Sequence, residues 1–168
     1  MQLTAFFKRE GWKDKDPAKR LKAVTDMTDQ ALLHRIASTD SSASVRAAAV
    51  KRINNDAKLW EILAKEQNAE VCLRATNNII SQEYLGKVAR FRAMDMQTRL
   101  AAIDRLTDQE VLEQLALGDA SKAIRMAAIA KVKSPRVLEQ VISDDHSGQV
   151  INLASQRLSN GSGRFTKG

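Results

Sequence analysis

Aspartate and arginine recur six residues apart at three places, as Asp14 and Arg20, Asp40 and Arg46, and Asp119 and Arg125. Arg99 stands at the same phase without an aspartate six residues before it. A carboxylate can act as a general acid or base, but carboxylate and guanidinium groups also form strong charge-assisted hydrogen bonds. Because the pairs recur along the chain, we expect them to fix how neighbouring structural repeats stack, and we expect no catalytic role for the aspartates.

A second set of polar residues follows six positions after the arginine phase. Four of its six members are basic, and the full set is Asp26, Arg52, Asn78, Arg105, Lys131 and Arg157. Three more cations, Lys22, Lys51 and Arg74, lie close to these positions in sequence. Stacked helices would set these cations in a row that can bind phosphates or an acidic partner. The competing interpretation is an ordinary solvated helix flank.

The other reactive side chains form no catalytic or metal-binding pattern. Cys72 is the only cysteine and lies between Val71 and Leu73, so we expect a packed thiol and no disulfide. His34 and His146 have no cysteine or carboxylate cluster at ligand spacing. The sequence has no P-loop, dinucleotide-binding or GxSxG motif. We therefore predict no metal, no cofactor and no enzymatic activity.

Composition indicates packed helices. Among 168 residues only seven are glycine and two proline, which leaves little room for the turns of a β-sandwich or barrel. Aromatic residues make up 4% and hydrophobic residues 43%. The net charge of +7 makes nucleic acid, ribosomes, anionic membranes and acidic proteins all plausible partners.

One short pattern repeats six times along the chain. An arginine is followed three residues later by alanine, then by an aliphatic or small residue, and then by another aliphatic residue three positions on. The first positions, 26 or 27 residues apart, are Arg20, Arg46, Cys72, Arg99, Arg125 and Ile151. Within each copy the apolar residues are three and four apart, which places them on one face of a helix. The alanine in that face lets a neighbouring helix approach closely.

A second helical segment follows each of the first five copies after a polar turn. The turns end in capping residue types, at Thr28-Asp29, Asn55-Asp56, Ser81-Gln82, Thr107-Asp108 and Ser134-Pro135. Each helix is about three turns long, which is too short for stability in isolation. The sequence therefore predicts an all-α solenoid of about six stacked helix pairs, each about 26 residues long.

The pattern resembles the short HEAT-like repeats of the phycobilisome-lyase type, with their V-R-x-A-A-x-x-x-L helix followed by D-x-x-x-L-x-x-L. Val45–Ile53 and Ile124–Val132 match best, and the resemblance covers roughly residues 16–158. It implies a superhelix in which the first helix of each pair lines the concave, partner-binding surface. It also implies a ladder between adjacent repeats, with aspartate in the turn and arginine at the start of the helix.

The opening Phe6-Phe7-Lys8, followed by Trp12, is similar to the start of large bacterial proteins of unknown function that carry such repeats before a coiled coil. The chain is then expected to be a short relative or a fragment. We predict a single domain over residues 1–158, with a cap at 1–15, repeats at 16–158 and a flexible tail at 159–168. The lone cysteine and the charged start favour a cytoplasmic protein without a membrane span.

Three functions remain open at this point. The first is a non-catalytic scaffold or adaptor that binds a protein partner on the concave face. The second is binding of nucleic acid or the ribosome through phosphates contacted by the basic stripe. The third is an enzyme of the HEAT-like DNA glycosylase kind, for which the sequence offers no residues to assign.

Overall fold

The computed structural model describes residues 11–162, and within them the chain forms eleven α-helices, one short 3-10 turn and no strand. The predicted all-α class is therefore confirmed. After the turn Gly11–Lys13, the helices are α1 (Pro17–Thr25), α2 (Gln30–Thr39), α3 (Ala43–Arg52), α4 (Asp56–Leu63), α5 (Ala69–Asn78), α6 (Gln82–Arg90), α7 (Met96–Arg105), α8 (Gln109–Gly118), α9 (Lys122–Ile129), α10 (Pro135–Asp144) and α11 (Gly148–Ser162).

Polar side chains fix where most of the helices begin. Asp29 accepts hydrogen bonds from two amides in the first turn of α2, and Asp108 accepts one from Val111 at the start of α8. Ser134 caps α10, where Pro135 occupies the first helical position. These contacts satisfy amide groups that have no partner inside the helix. The connections between consecutive helices can therefore be as short as three to five residues.

The alanine of the repeated pattern lies where helices approach one another. Five of its six copies are completely buried, at Ala49, Ala75, Ala102, Ala128 and Ala154. Because a methyl group is small, it allows the next first helix to pack at short distance. The rest of the core is made of Leu, Ile and Val at the neighbouring positions of the same faces.

The chain divides into two compact units, with the boundary between Tyr84 and Leu85 inside α6. In the first unit, α1 packs on α3, α3 on α5, and α2 on α4. In the second unit, α7 packs on α9, α9 on α11, and α8 on α10. Within each unit, a helix therefore contacts the helix that follows it by two positions.

At its C-terminal end, the described region differs from the sequence prediction. Helix α11 continues to Ser162 and so passes the predicted start of the tail at Ser159, whose hydroxyl donates to the Ser155 carbonyl inside the helix. At the other end, Gly11 lies so close to α1 that a β-carbon there would be 3.2 Å from the Ala23 Cβ. Phe6 and Phe7, which belong to the predicted N-terminal cap, lie outside the described residues.

Over residues 11–162, no helix combines the length and the hydrophobicity needed to cross a bilayer.

Overpacking of a repeat junction gives a direct test of this packing. Ala128→Leu adds three carbons to a site in α9 with no exposed surface, so we expect the free energy of unfolding to fall by about 1–3 kcal/mol. Ala123→Leu, on the exposed side of the same helix, is the matched control and should change it by less than about 0.5 kcal/mol. Urea melts followed by circular dichroism measure both. Equal stabilities of the two variants would contradict the packing.

Candidate functional site

Arginines at the start of the first helices join consecutive repeats in the first unit. Arg20 donates from Nε and Nη2 to the two carboxylate oxygens of Asp40, at 2.8 Å each. Its Nη1 donates to the Asp14 carbonyl at 2.9 Å. Arg46 repeats the arrangement, with bonds of 2.7 and 3.0 Å to the Glu66 carboxylate and one of 2.9 Å to the Asp40 carbonyl.

The second unit contains the same arrangement. Arg125 donates to both carboxylate oxygens of Asp145, at 2.6 and 3.1 Å, and to the Asp119 carbonyl at 2.9 Å. Arg99 binds the Asp119 carboxylate through two nitrogens, and its Nε donates to the Ala89 carbonyl at 2.8 Å. We call the four arginines and their carboxylates Asp40, Glu66, Asp119 and Asp145 the arginine ladder.

The spacing of the ladder residues follows from the length of the repeat. Arg20, Arg46 and Arg125 each bind the carbonyl of a residue six before and the carboxylate of a residue 20 after, and these two steps add to the 26-residue period. Arg99 keeps the carboxylate step, but its carbonyl partner, Ala89, lies ten residues before it. The aspartates paired by sequence therefore contribute their carbonyls to the arginine six residues on, while their carboxylates bind the arginine of the previous repeat. Asp14 has no previous repeat in the described region, and its carboxylate lies 3.3 Å from the Lys19 Nζ.

Two ladder carboxylates were missed by the sequence interpretation. Glu66 and Asp145 each lie 26 residues after a predicted aspartate, so the period alone identifies them. Glu66 escaped notice because it is a glutamate, and Asp145 because no arginine follows it six residues on. Cys72 takes the place of that arginine after Glu66, and its thiol contacts the Glu66 carbonyl at 3.6 Å.

The ladder carboxylates are poorly accessible to water. Burial alone would raise the pKa of the Asp40 carboxyl, but hydrogen bonds from Arg20 and from the Ser42 amide hold that pKa below its ordinary value of 3.8. For Asp145, the hydrogen bonds from Arg125 are the main reason why the pKa is lowered. The Asp40 and Asp145 side chains are only 7% and 8% exposed, so the folded protein has to bury these charges together with their arginines.

The predicted basic stripe divides into two groups. Three of its cations donate to backbone carbonyls at the ends of the preceding first helices: Arg52 to Met27 at 3.0 Å, Lys131 to Ile103 at 2.9 Å and Arg157 to Val132 at 3.0 Å. Positive groups at such carbonyls supply partners that the helix itself lacks. These three side chains therefore also hold successive repeats together.

The remaining stripe residues differ in their exposure. Lys22, Lys51 and Arg74 are exposed in the first unit, and Arg74 donates to the Glu70 carboxylate one turn earlier in α5 at 2.9 Å. Arg105, in the second unit, is half-buried.

The first residue of several second helices forms a further junction that the sequence interpretation missed. Gln109 Oε1 accepts from the Lys133 amide at 2.9 Å, and Gln30 Oε1 accepts from the Asn54 amide at 3.1 Å. At the same position of α4, the Asp56 carboxylate accepts from the Ser81 amide at 2.7 Å. The sequence signal for this junction is a polar residue directly after the N-cap. The turn that it binds lies 24 or 25 residues later.

In the second unit, α7 and α9 run parallel. Near their first residues, the Ser121 hydroxyl lies 3.5 Å from the Met96 sulfur, and near their ends Lys131 binds the Ile103 carbonyl. Because the two helices are also related by the 26-residue repeat, equivalent positions face the same side. The side chains on their exposed surface therefore form one continuous face.

That face is apolar. It is made of Met96, Leu100, Ala101, Ala123, Met126, Ala127 and Ala130, and we call these residues the apolar face. Met96 is 42% exposed, Ala123 and Ala130 are exposed, and the others are partly exposed. Gln97 is an exposed polar residue beside them. The exposed charged residues of α7 and α9 are Lys122 and Asp104, at opposite ends, and the half-buried Arg105 and Lys131 lie at the same end as Asp104. In a chain with 28% charged residues, such a surface is unusual.

The described residues provide little for catalysis. No three histidine, cysteine, aspartate or glutamate side chains between residues 11 and 162 are grouped so that they can hold a metal ion. His34 Nε2 lies 3.2 Å from a Glu61 carboxylate oxygen, and that carboxylate is mostly exposed. Cys72 is buried.

Comparisons with protein-family models, with curated proteins and with solved structures gave no match to this chain.

The energetic weight of the ladder can be measured with Arg125→Ala. The change leaves the Asp145 carboxylate without its main partner, and we expect the free energy of unfolding to fall by about 3 kcal/mol. Arg136→Ala removes an exposed arginine from α10 and should change stability by less than about 0.5 kcal/mol. If the two variants unfold at the same urea concentration, the ladder is not a stabilising element.

Acid should weaken the fold through the same carboxylates. The pKa values of Asp40, Glu66 and Asp145 are lower in the folded than in the unfolded chain, so their contribution to stability is complete above the ordinary values of 3.8 and 4.5 and is lost as the pH falls from these values through the lower pKa values of the folded chain. We expect the melting temperature to drop below about pH 4.5, and to drop less steeply in Asp145→Asn. Melts between pH 7 and pH 2.5 test this, and identical slopes for parent and variant would contradict it.

Proposed function

We propose that this chain is a non-catalytic scaffold, an α-solenoid of about six HEAT-like helix pairs that binds another protein through the exposed faces of its first helices. The observation that carries the proposal is the apolar face on α7 and α9. Exposed methionine, leucine and alanine gain free energy when a partner removes them from water. They offer nothing to a phosphate group.

The polar contacts support the same choice. Arg52, Lys131 and Arg157 donate to carbonyls of their own chain, which reduces the number of stripe cations available to a nucleic acid. Among the stripe cations, binding of nucleic acid or ribosome then rests on the exposed Lys22, Lys51 and Arg74 of the first unit. A cytoplasmic setting belongs to the proposal because the single cysteine, Cys72, is buried and reduced.

A tagged full-length chain tests the proposal in cell lysate, with and without nuclease. We expect a defined protein to be retained after nuclease treatment, to bind the purified chain in titration calorimetry, and to bind Ala127→Glu at least tenfold more weakly. Ala31→Glu, at an exposed alanine of α2, is the control and should bind like the parent.

Circular dichroism melts of both variants keep a folding defect separate from a binding defect. Complete loss of the bound material on nuclease treatment would indicate that the chain binds nucleic acid and not a protein. Equal binding of the partner to Ala127→Glu and to the parent would show that the apolar face is not the binding surface.

A further inference from the structure

We propose that the apolar face of the second unit receives one amphipathic α-helix of the partner protein, oriented by an acidic and a basic residue at the two ends of that helix. This inference rests on the proposed function and specifies the kind of element that the partner must present. It is carried by the shape of the face, by its two charges and by the side chains between them.

The shape suits a helix. Ala101, Ala123, Ala127 and Ala130 are small side chains on two parallel neighbouring helices, so a third helix can approach the backbones of α7 and α9 closely. Met96, whose sulfur lies beside the Ser121 hydroxyl at the start of α9, adds a larger apolar side chain to this surface, as do Leu100 and Met126. Methionine is flexible and packs against apolar side chains of different shapes. A flat strand would leave its backbone amides without partners here, because the backbone groups of both helices are already bonded within the helices.

The two charges are placed to orient a partner. Lys122 begins α9 and Asp104 lies in the last turn of α7, and neither side chain forms a hydrogen bond or ion pair with another residue in the range 11–162. Both are exposed. The Lys122 ammonium group is complementary to a carboxylate at one end of the bound helix, and the Asp104 carboxylate to a cation at its other end.

The distance between the charges sets the length of the partner helix. Along the helix axis, Lys122 and Asp104 are separated by eight positions of the repeat, which is about 12 Å, and they lie on adjacent helices about 8–10 Å apart. The diagonal is therefore about 15 Å, or roughly ten residues of α-helix. Apolar residues three and four apart must fill the space between the two charged residues.

A displayed peptide library tests the inference without knowledge of the natural partner. Sixteen-residue peptides on an Ala/Gln helical framework, randomised on one face, are selected against the immobilised full-length chain. We expect enrichment of Leu, Met, Ile and Phe at spacings of three and four, with one acidic and one basic residue about ten positions apart. No enrichment over an uncoated surface, or enrichment of Pro-rich or extended motifs, overturns the inference.

The enriched peptide then becomes a labelled probe for fluorescence anisotropy. Ala127→Glu should weaken its binding at least tenfold, and the control Ala31→Glu should leave binding unchanged. Lys122→Gln with Asp104→Asn should weaken it about two- to fivefold, since exposed ion pairs contribute little. A peptide whose two charged residues are replaced by Gln should bind the parent and this double variant equally. If the double variant binds the charged peptide as well as the parent does, the orienting role is wrong.

The natural partner separates this inference from the proposed function. If the captured protein is sensitive to Ala127→Glu but no helical peptide is selected, the face binds protein and the helical inference fails. If Ala127→Glu weakens binding of neither the captured protein nor the selected peptides, the apolar face is not their binding surface, and both the proposed function and the helical inference are wrong about this face.

Discussion

A guanidinium group presents hydrogen-bond donors along two edges, and Arg20, Arg46 and Arg125 use both. One edge takes a carbonyl in the turn before its own helix, and the other takes a carboxylate 20 residues later in the next turn. The short helices have little stability of their own, so the fold depends on contacts between repeats. A lysine cannot replace these arginines, because a single ammonium group does not form the planar fork.

Contacts between repeats occur in two sets of turns, and this determines which surfaces are left for a partner. The arginine ladder occupies the turn between the second helix and the following first helix. The opposite turn is held by Gln30, Asp56 and Gln109, together with the cations that bind helix-end carbonyls. In the second unit, the apolar face on α7 and α9 takes part in neither set of contacts.

Much of the fold could be predicted from the sequence, because a pattern that recurs every 26 or 27 residues indicates the same local structure in each copy. The helical class, the buried alanines such as Ala102 and Ala128, and the capping residues Asp29 and Ser134 follow from local spacing and residue type. The partner of each ladder carboxylate does not, since Asp40 is closer in sequence to Arg35 and Arg46 than to its partner Arg20. Whether Lys131 meets solvent or a carbonyl depends on where the preceding helix ends, and periodicity does not specify that.

The substitution of Cys72 for arginine also affects how unfolding spreads along the chain. A row of repeats behaves as a one-dimensional series of coupled units, and it opens first where the coupling between neighbours is weakest. At Cys72 the thiol contacts the Glu66 carbonyl but carries no positive charge for a carboxylate, so the ladder is interrupted at this position, while Glu66 keeps its ion pair with Arg46. The coupling between repeats is therefore unequal along the sequence, and we expect the helix that contains Cys72 to open before helices whose arginine forms the ladder contact.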